Sequence, residues 1–172
     1  LQIRSIEALF LYDPSPESLK RFEQEARIFF SGKVVHCDTI EDCVRHAQII
    51  TTTTPSREPL LMQDWVQPGT HINAIGADAA GKQEVDPALL KQCRVFVDDM
   101  AQAAHSGEIN QPLSRKELLN SDICGTLGDV IIDSIPGRTS ESEITLFDST
   151  GLAIQDVAAG AYIYEKAIKS DS

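Results

Sequence analysis

The segment INAIGADAAGKQEVDP, residues 72–87, concentrates the residues that could do chemistry. Gly76, Gly81 and Lys82 fit the spacing G-x-x-x-x-G-K, which in a phosphate-binding loop turns backbone N–H groups toward anionic oxygens. Asp78 would put a negative charge into that cradle, and Gln83 stands where a Ser or Thr should hold magnesium. The loop should also run straight into a helix, whereas Asp86-Pro87 reads as the start of a later one. The phosphate-loop reading is therefore rejected. What remains is a strand that stops at Gly76-Ala77 and offers Asp78 to a cleft. Small residues let a flat ligand approach the backbone closely. A carboxylate there can serve as a general acid/base if partial burial brings its pKa toward the working pH. By residue type alone, an Asp in such a place more often caps a turn.

The elements that must position Asp78 follow from periodicity. Residues 7–13 (EALFLYD) read as a strand ending in an acid, and 15–32 as a helix with Leu19, Phe22, Ala26, Phe29 and Phe30 at the 3.6 period. Ser15 can cap that helix, Pro16 suits its first turn and Gly32 its exit. Strands are expected over 33–38, 48–54, 70–76, 94–99 and 143–149. Helices are expected over 39–47, 86–93, 114–119, 124–135 and 152–169. Thr39/Asp42 and Ser114/Glu117 have the spacing of capping boxes. Alternation of strand and helix implies an α/β fold with a largely parallel sheet. Asp13, Thr51 to Thr54, Asp78, Asp98 and Ser149 then all fall at or just after carboxyl ends of strands, the edge where open α/β sheets bind ligands.

Composition narrows the classes. The chain has 172 residues, enough for one core, and 42% of them are hydrophobic, so a folded domain is expected over 1–172. A net charge of −11 would repel a phosphate backbone, which argues against nucleic acid. No apolar run approaches a membrane span of about 20 residues. The start LQIRSIEALF lacks the pattern of a signal peptide, and a cytoplasmic protein is expected. The four cysteines, Cys37, Cys43, Cys93 and Cys124, form no C-x-x-C and read as reduced thiols. His36, Cys37, Cys43 and His46 raise the question of a metal, but neighbours on a strand point to opposite faces, and no metal site is expected. His71 reads as a satisfied strand histidine, His105 as a surface residue, Asp156 as a group that orders a helix start and Arg138 as a solvated loop arginine.

The wording of the chain adds to its pattern. INAIGADAAGKQEVDPALL, VFVDDMAQAAHSGEIN, GTLGDVI, PGRTSESEITLFDSTGLAIQD and ITTTT closely resemble the ornithine cyclodeaminase, alanine dehydrogenase and mu-crystallin (ketimine reductase) family, over nearly all of the sequence. The resemblance implies a Rossmann-type, doubly wound sheet binding NAD(P), and a second domain, absent here, for substrate and dimerisation. It implies that Asp78 is the catalytic acid/base. Ile75, Gly76 and Ala77 would lie along the nicotinamide, Lys82 and Thr54 would contact the cofactor, Ser149 would lie near nicotinamide and Thr150 near substrate. Asp13 would bind the adenosine ribose, and its charge would favour NAD over NADP by repelling a 2′-phosphate. The implied ligands are a small amino acid or cyclic imine, and the implied assembly of the complete protein is a homodimer. The family's first strand and glycine-rich turn have no counterpart here, so an N-terminally truncated fold is expected, beginning near the end of the first helix at Leu1-Gln2. A mu-crystallin-like binding protein and a non-catalytic domain are the alternatives to an enzyme. With the first strand missing from its place between 7–13 and 48–54, the sheet should split there, re-pair directly, or accept another segment.

Overall fold

The structure, a computed structural model, describes residues 4–170; the expectation for Leu1-Gln2 lies outside them. The chain alternates strand and helix. The strands are β1 (Ala8–Leu11), β2 (Lys33–His36), β3 (Ile49–Thr52), β4 (His71–Ala74), β5 (Cys93–Val97), β6 (Ile123–Thr126) and β7 (Ile144–Asp148). The helices are α1 (Pro16–Ala26), α2 (Ile40–Arg45), α3 (Pro87–Leu90), α4 (Met100–Ser106), α5 (Asn110–Ser114), α6 (Leu127–Ile131) and α7 (Ala153–Ser170). Every pairing between these strands is parallel.

The strands form two sheets. β1 pairs with β2, and a five-stranded sheet has the order β3-β4-β7-β5-β6. Among the described residues no strand joins β1 to β3, so the sheet divides where the sequence places a gap. Of the three outcomes expected there, this one leaves each facing edge half-open to water. Ile49 on β3 is 43% exposed, and β1 is half-buried throughout. Solvated edge groups avoid the cost of about 1–3 kcal/mol that each would incur if buried without a partner.

The core lies on the five-stranded sheet. Ile72, Val95, Val97 and Leu146 alternate inward from β4, β5 and β7, and Leu89, Leu90, Ala103, Ile109 and Leu118 cover them. Pairing parallel strands requires crossover helices, which is why strand and helix alternate here. Capping fixes several helix starts. Ser15 accepts from the Ser18 amide at 3.3 Å, Thr39 from Asp42 at 3.0 Å and Asp86 from Ala88 at 2.9 Å.

Three expectations need correction. Residues 114–119 are not a helix: the Ser114 hydroxyl donates to the Gln111 carbonyl at the end of α5, and Lys116 is left-handed at φ 59°. Residues 124–135 are not one helix. Ile123–Thr126 pairs with β5, and Gly125 at φ 143° occupies a conformation only glycine takes easily. Thr126 and Asp129 then cap each other reciprocally, so α6 starts only at Leu127. α1 ends at Ala26 rather than Gly32, since the Phe29 and Phe30 amides both turn back to the Ala26 carbonyl. Phe22 and Phe29, predicted on its buried stripe, are exposed. α7 carries Ile154, Val157, Tyr162, Ile163, Tyr164 and Ile168 exposed along its length.

Candidate functional site

The carboxyl ends of β3, β4, β5 and β7 bring Thr54, Gly76 to Asp78, Asp98, Ser149 and Thr150 to one edge of the five-stranded sheet. Registers account for this placement: Thr52 pairs with Ala74, Ala74 with Asp148 and Asp148 with Val97, so each following loop leaves at the same level. Asp13 stands after β1, at the corresponding edge of the small sheet. Its carboxylate accepts from the Ser15 amide at 2.7 Å, which is the turn-forming bond expected of an Asp before Pro14, and its side chain is exposed.

Asp78 lacks in this structure the partial burial on which its acid/base work is conditional. Its side chain is 61% exposed and paired with Lys82 four residues on. The hydrogen bond from Lys82, and then its charge, hold the Asp78 carboxyl below the usual carboxylate range. Lys82 is 21% exposed and also reaches the Gly76 carbonyl at 3.5 Å. As it stands, Asp78 is ionised at neutral pH and can accept a proton or a hydrogen bond. Returning a proton at that pH requires the site to be covered, so that desolvation raises its pKa.

Gly76 allows β3 and β4 to end in contact. A Cβ there would lie 2.3 Å from the Thr54 carbonyl oxygen and 2.5 Å from a Glu84 carboxylate oxygen. Ala77 beside it is fully buried, and Ile75 is partly exposed. Just after β7, the Ser149 amide donates to the Ala74 carbonyl at 3.0 Å. Thr150 donates to Asp98 through its amide (2.6 Å) and its hydroxyl (2.8 Å), and the Gly151 amide adds a third bond at 2.9 Å. The Thr150 hydroxyl hydrogen is therefore engaged inside the protein, which leaves its oxygen to accept.

Beneath this edge lies a run of buried acids that sequence reasoning did not single out. Glu84, Glu108 and Asp148 are all within 1% of full burial. The Glu84 carboxylate accepts from the Thr52 hydroxyl (2.6 Å), the Thr54 amide (2.6 Å) and the Gly76 amide (2.9 Å). The Glu108 carboxyl accepts from the Glu84 amide (3.0 Å) and the Val85 amide (2.7 Å). Asp148 accepts from the Ile109 amide at 3.2 Å through Oδ2, while its Oδ1 is buried without a partner. Burial pushes the Glu108 carboxyl well above its ordinary range and that of Asp148 up to about 7. The available signal was the concentration of acids inside KQEVD, HSGEIN and LFDSTG, segments otherwise bound for the interior. Asp99 and Gln102 were likewise a legible cap, with a 2.8 Å bond, for the unpredicted α4.

Other residues resolve simply. His71 bonds Thr145 (2.8 Å) and Asn73 (3.2 Å), and burial lowers its pKa. Arg138 is not a free loop arginine: it donates to the Thr70 carbonyl (3.2 Å), the Thr145 hydroxyl (3.0 Å) and the Glu143 carbonyl, tying together the amino ends of β4 and β7. His36 pairs with Glu23 at 3.0 Å, and His46 stacks on Phe10. Among the described residues no three His, Cys, Asp or Glu side chains are grouped to hold a metal ion, and no helix is long and apolar enough to cross a membrane.

A parallel sheet flanked by helices, with polar groups gathered at its carboxyl edge, defines an α/β protein of the Rossmann type. The chain belongs to the ornithine cyclodeaminase/mu-crystallin family, whose family model matches residues 1–171. It is 51% identical over 123 residues to an alanine dehydrogenase of Archaeoglobus fulgidus, covering 72% of this chain and 38% of that one. It superposes on an archaeal alanine dehydrogenase dimer with bound NAD at a TM-score of 0.92 and 41% identity, covering 99% of this chain and 52% of the other. On the Δ1-pyrroline-2-carboxylate reductase of Thermococcus litoralis, solved with NADH and L-proline, the TM-score is 0.93 at 28% identity, covering 99% and 53%. The chain thus spans about half the length of these structures.

Proposed function

We propose that residues 1–172 form a dinucleotide-binding domain of an oxidoreductase or cyclodeaminase that moves hydride between NAD and the α-carbon of a small amino acid or imine. The observation that carries this reading is the convergence of Thr54, Gly76 to Asp78 and Ser149 on one sheet edge, in a chain of this family. The edge suits a dinucleotide: Gly76 brings the ends of β3 and β4 into close contact, and a carboxylate, Asp13, ends the neighbouring sheet. Asp13 would hold the adenosine ribose, and its charge favours NAD over NADP. Ile75, Gly76, Ala77 and Thr54 would line the nicotinamide side, with Lys82 and Ser149 flanking it and Thr150 accepting from substrate. When bound, the dinucleotide supplies the redox step.

The chain's own residues supply proton handling. Asp78 takes a proton from the substrate nitrogen or from water, and Lys82 keeps it ionised until that moment. A substrate domain closing over the edge would displace water and raise the Asp78 pKa, so that the proton can be returned. The exposed, depressed state of Asp78 favours one second reading, a dinucleotide-binding protein of mu-crystallin type without turnover. In the complete protein, Asp78→Asn should leave NAD affinity nearly intact and lower turnover by roughly 100-fold or more. Unchanged turnover would remove Asp78 from the mechanism. Product analysis separates the activities: proline without net NADH indicates a cyclodeaminase, a keto acid with NADH a dehydrogenase, and no product the binding protein.

A further inference from the structure

Glu84 reaches the gap between the carboxyl ends of β3 and β4. Its carboxylate receives three donors, the Thr52 hydroxyl and the amides of Thr54 and Gly76, at 2.6–2.9 Å. Only a group that accepts on both oxygens satisfies this set, and a carboxylate does so with charge-assisted bonds. The side chain is fully buried and reaches back from the loop after Lys82, where the Glu108 carboxyl anchors the Glu84 and Val85 amides. Glu84 is thus fixed from below and fixes what lies above it.

We propose that Glu84 is a positioning residue of the candidate site, clamping the carboxyl ends of β3 and β4 so that Gly76, and through it Asp78, keeps its place. The proposal rests on the reading of this edge as a dinucleotide site with Asp78 as proton carrier. It has a consequence for recognition: the Thr54 and Gly76 N–H groups are taken by the protein, so a ligand at this edge does not bind through them. In Glu84→Gln, one carboxylate oxygen becomes an N–H₂ group, which sets a donor against the amide of either Thr54 or Gly76. Lost alignment at a reacting centre costs turnover more than it costs binding of a distant ligand fragment.

The test uses the complete protein, with turnover expressed per binding site counted by ADP-ribose titration. Glu84→Gln should lower turnover per site by about tenfold or more, while the Kd for ADP-ribose changes by less than about twofold. Fewer sites with unchanged turnover per site is the mark of a merely structural residue and overturns the proposal. Thr52→Val, which removes only the hydroxyl donor, should lower turnover per site by about threefold. It decides the matter if Glu84→Gln does not fold, and unchanged turnover per site in it then counts against the clamp. The amide proton resonances of Thr54 and Gly76 provide a readout independent of turnover. At least one should shift upfield in Glu84→Gln, whose NH₂ group cannot accept; where only Thr52→Val folds, the Gly76 resonance should move downfield as the oxygen it shares with Thr52 is freed; unshifted resonances overturn the clamp. If the wild-type protein shows no NAD-dependent turnover, the functional reading fails, and these resonances alone decide whether Glu84 holds the two strand ends.

Discussion

Asp148→Asn should stabilise the protein at neutral and alkaline pH. Asp148 is buried at the end of β7, accepts from the Ile109 amide and has one oxygen without a partner. Burial, with a further contribution from the Asp98 charge, raises its pKa from 3.8 to about 7. Glu108, itself raised, is the other acid that faces it. The folded chain therefore holds this proton more tightly than the unfolded chain. The stability from that proton is complete below the unfolded pKa, declines as the pH rises toward about 7, and changes little above it. A carboxyl raised from 3.8 to about 7 loses on the order of 4 kcal/mol across that window, at about 1.4 kcal/mol for each tenfold change in proton affinity. Asparagine imitates the neutral acid: its oxygen can accept from the Ile109 amide, and it carries no charge to bury. At about pH 8 the variant should gain up to about 4 kcal/mol, a large part of a typical domain's 5–15 kcal/mol. At about pH 4 it should match the wild type. Urea unfolding followed by circular dichroism across this range measures both arms. A variant less stable than wild type at about pH 8, or one with an unchanged pH slope, would refute the reasoning.

Gly76→Ala should cost about 2–3 kcal/mol, because the new methyl overlaps the Thr54 backbone and Glu84 rather than a movable side chain; thermal unfolding checks it. Lys82→Met should raise the Asp78 pKa toward its ordinary value, since Lys82 is the main cause of its depression. A carboxyl-carbon NMR titration measures this, and an unmoved midpoint would dissolve the pair. Asp13→Ser in the complete protein should narrow the preference for NAD over NADP, read from kcat/KM with each cofactor, and a wild type that uses NADP better would refute the role given to Asp13.

Local chemistry made much of the fold legible. Ser15, Thr39 and Asp86 cap helices as their spacing implies, and the β-branched run ending at Thr54 yields β3. The gap between 7–13 and 48–54 left three outcomes open in sequence, a split, a direct re-pairing or a filled slot, and only the fold selects the split, with β1 and β3 in separate sheets. The 114–135 region misled for the same local reason. Ser114/Glu117 has capping spacing, but the Ser114 hydroxyl donates back to the Gln111 carbonyl at the end of α5, and pairing with β5 draws Ile123–Thr126 into a strand.

Asp78 and its neighbours along the sheet edge were nameable from sequence, because residue type and strand ends are written there. Its exposure and its pairing with Lys82 depend on which side chains lie across the loop. The roles of Glu84, Glu108 and Asp148 depended wholly on tertiary structure. Apart from the Gly76–Glu84 bond, the hydrogen bonds named for them join residues 23 to 39 positions apart, such as Val85 to Glu108, Thr54 to Glu84 and Ile109 to Asp148. Sequence can mark an acid inside an apolar segment. Only the packed chain decides whether that acid is left to solvent or becomes the one acceptor that buried backbone donors can reach.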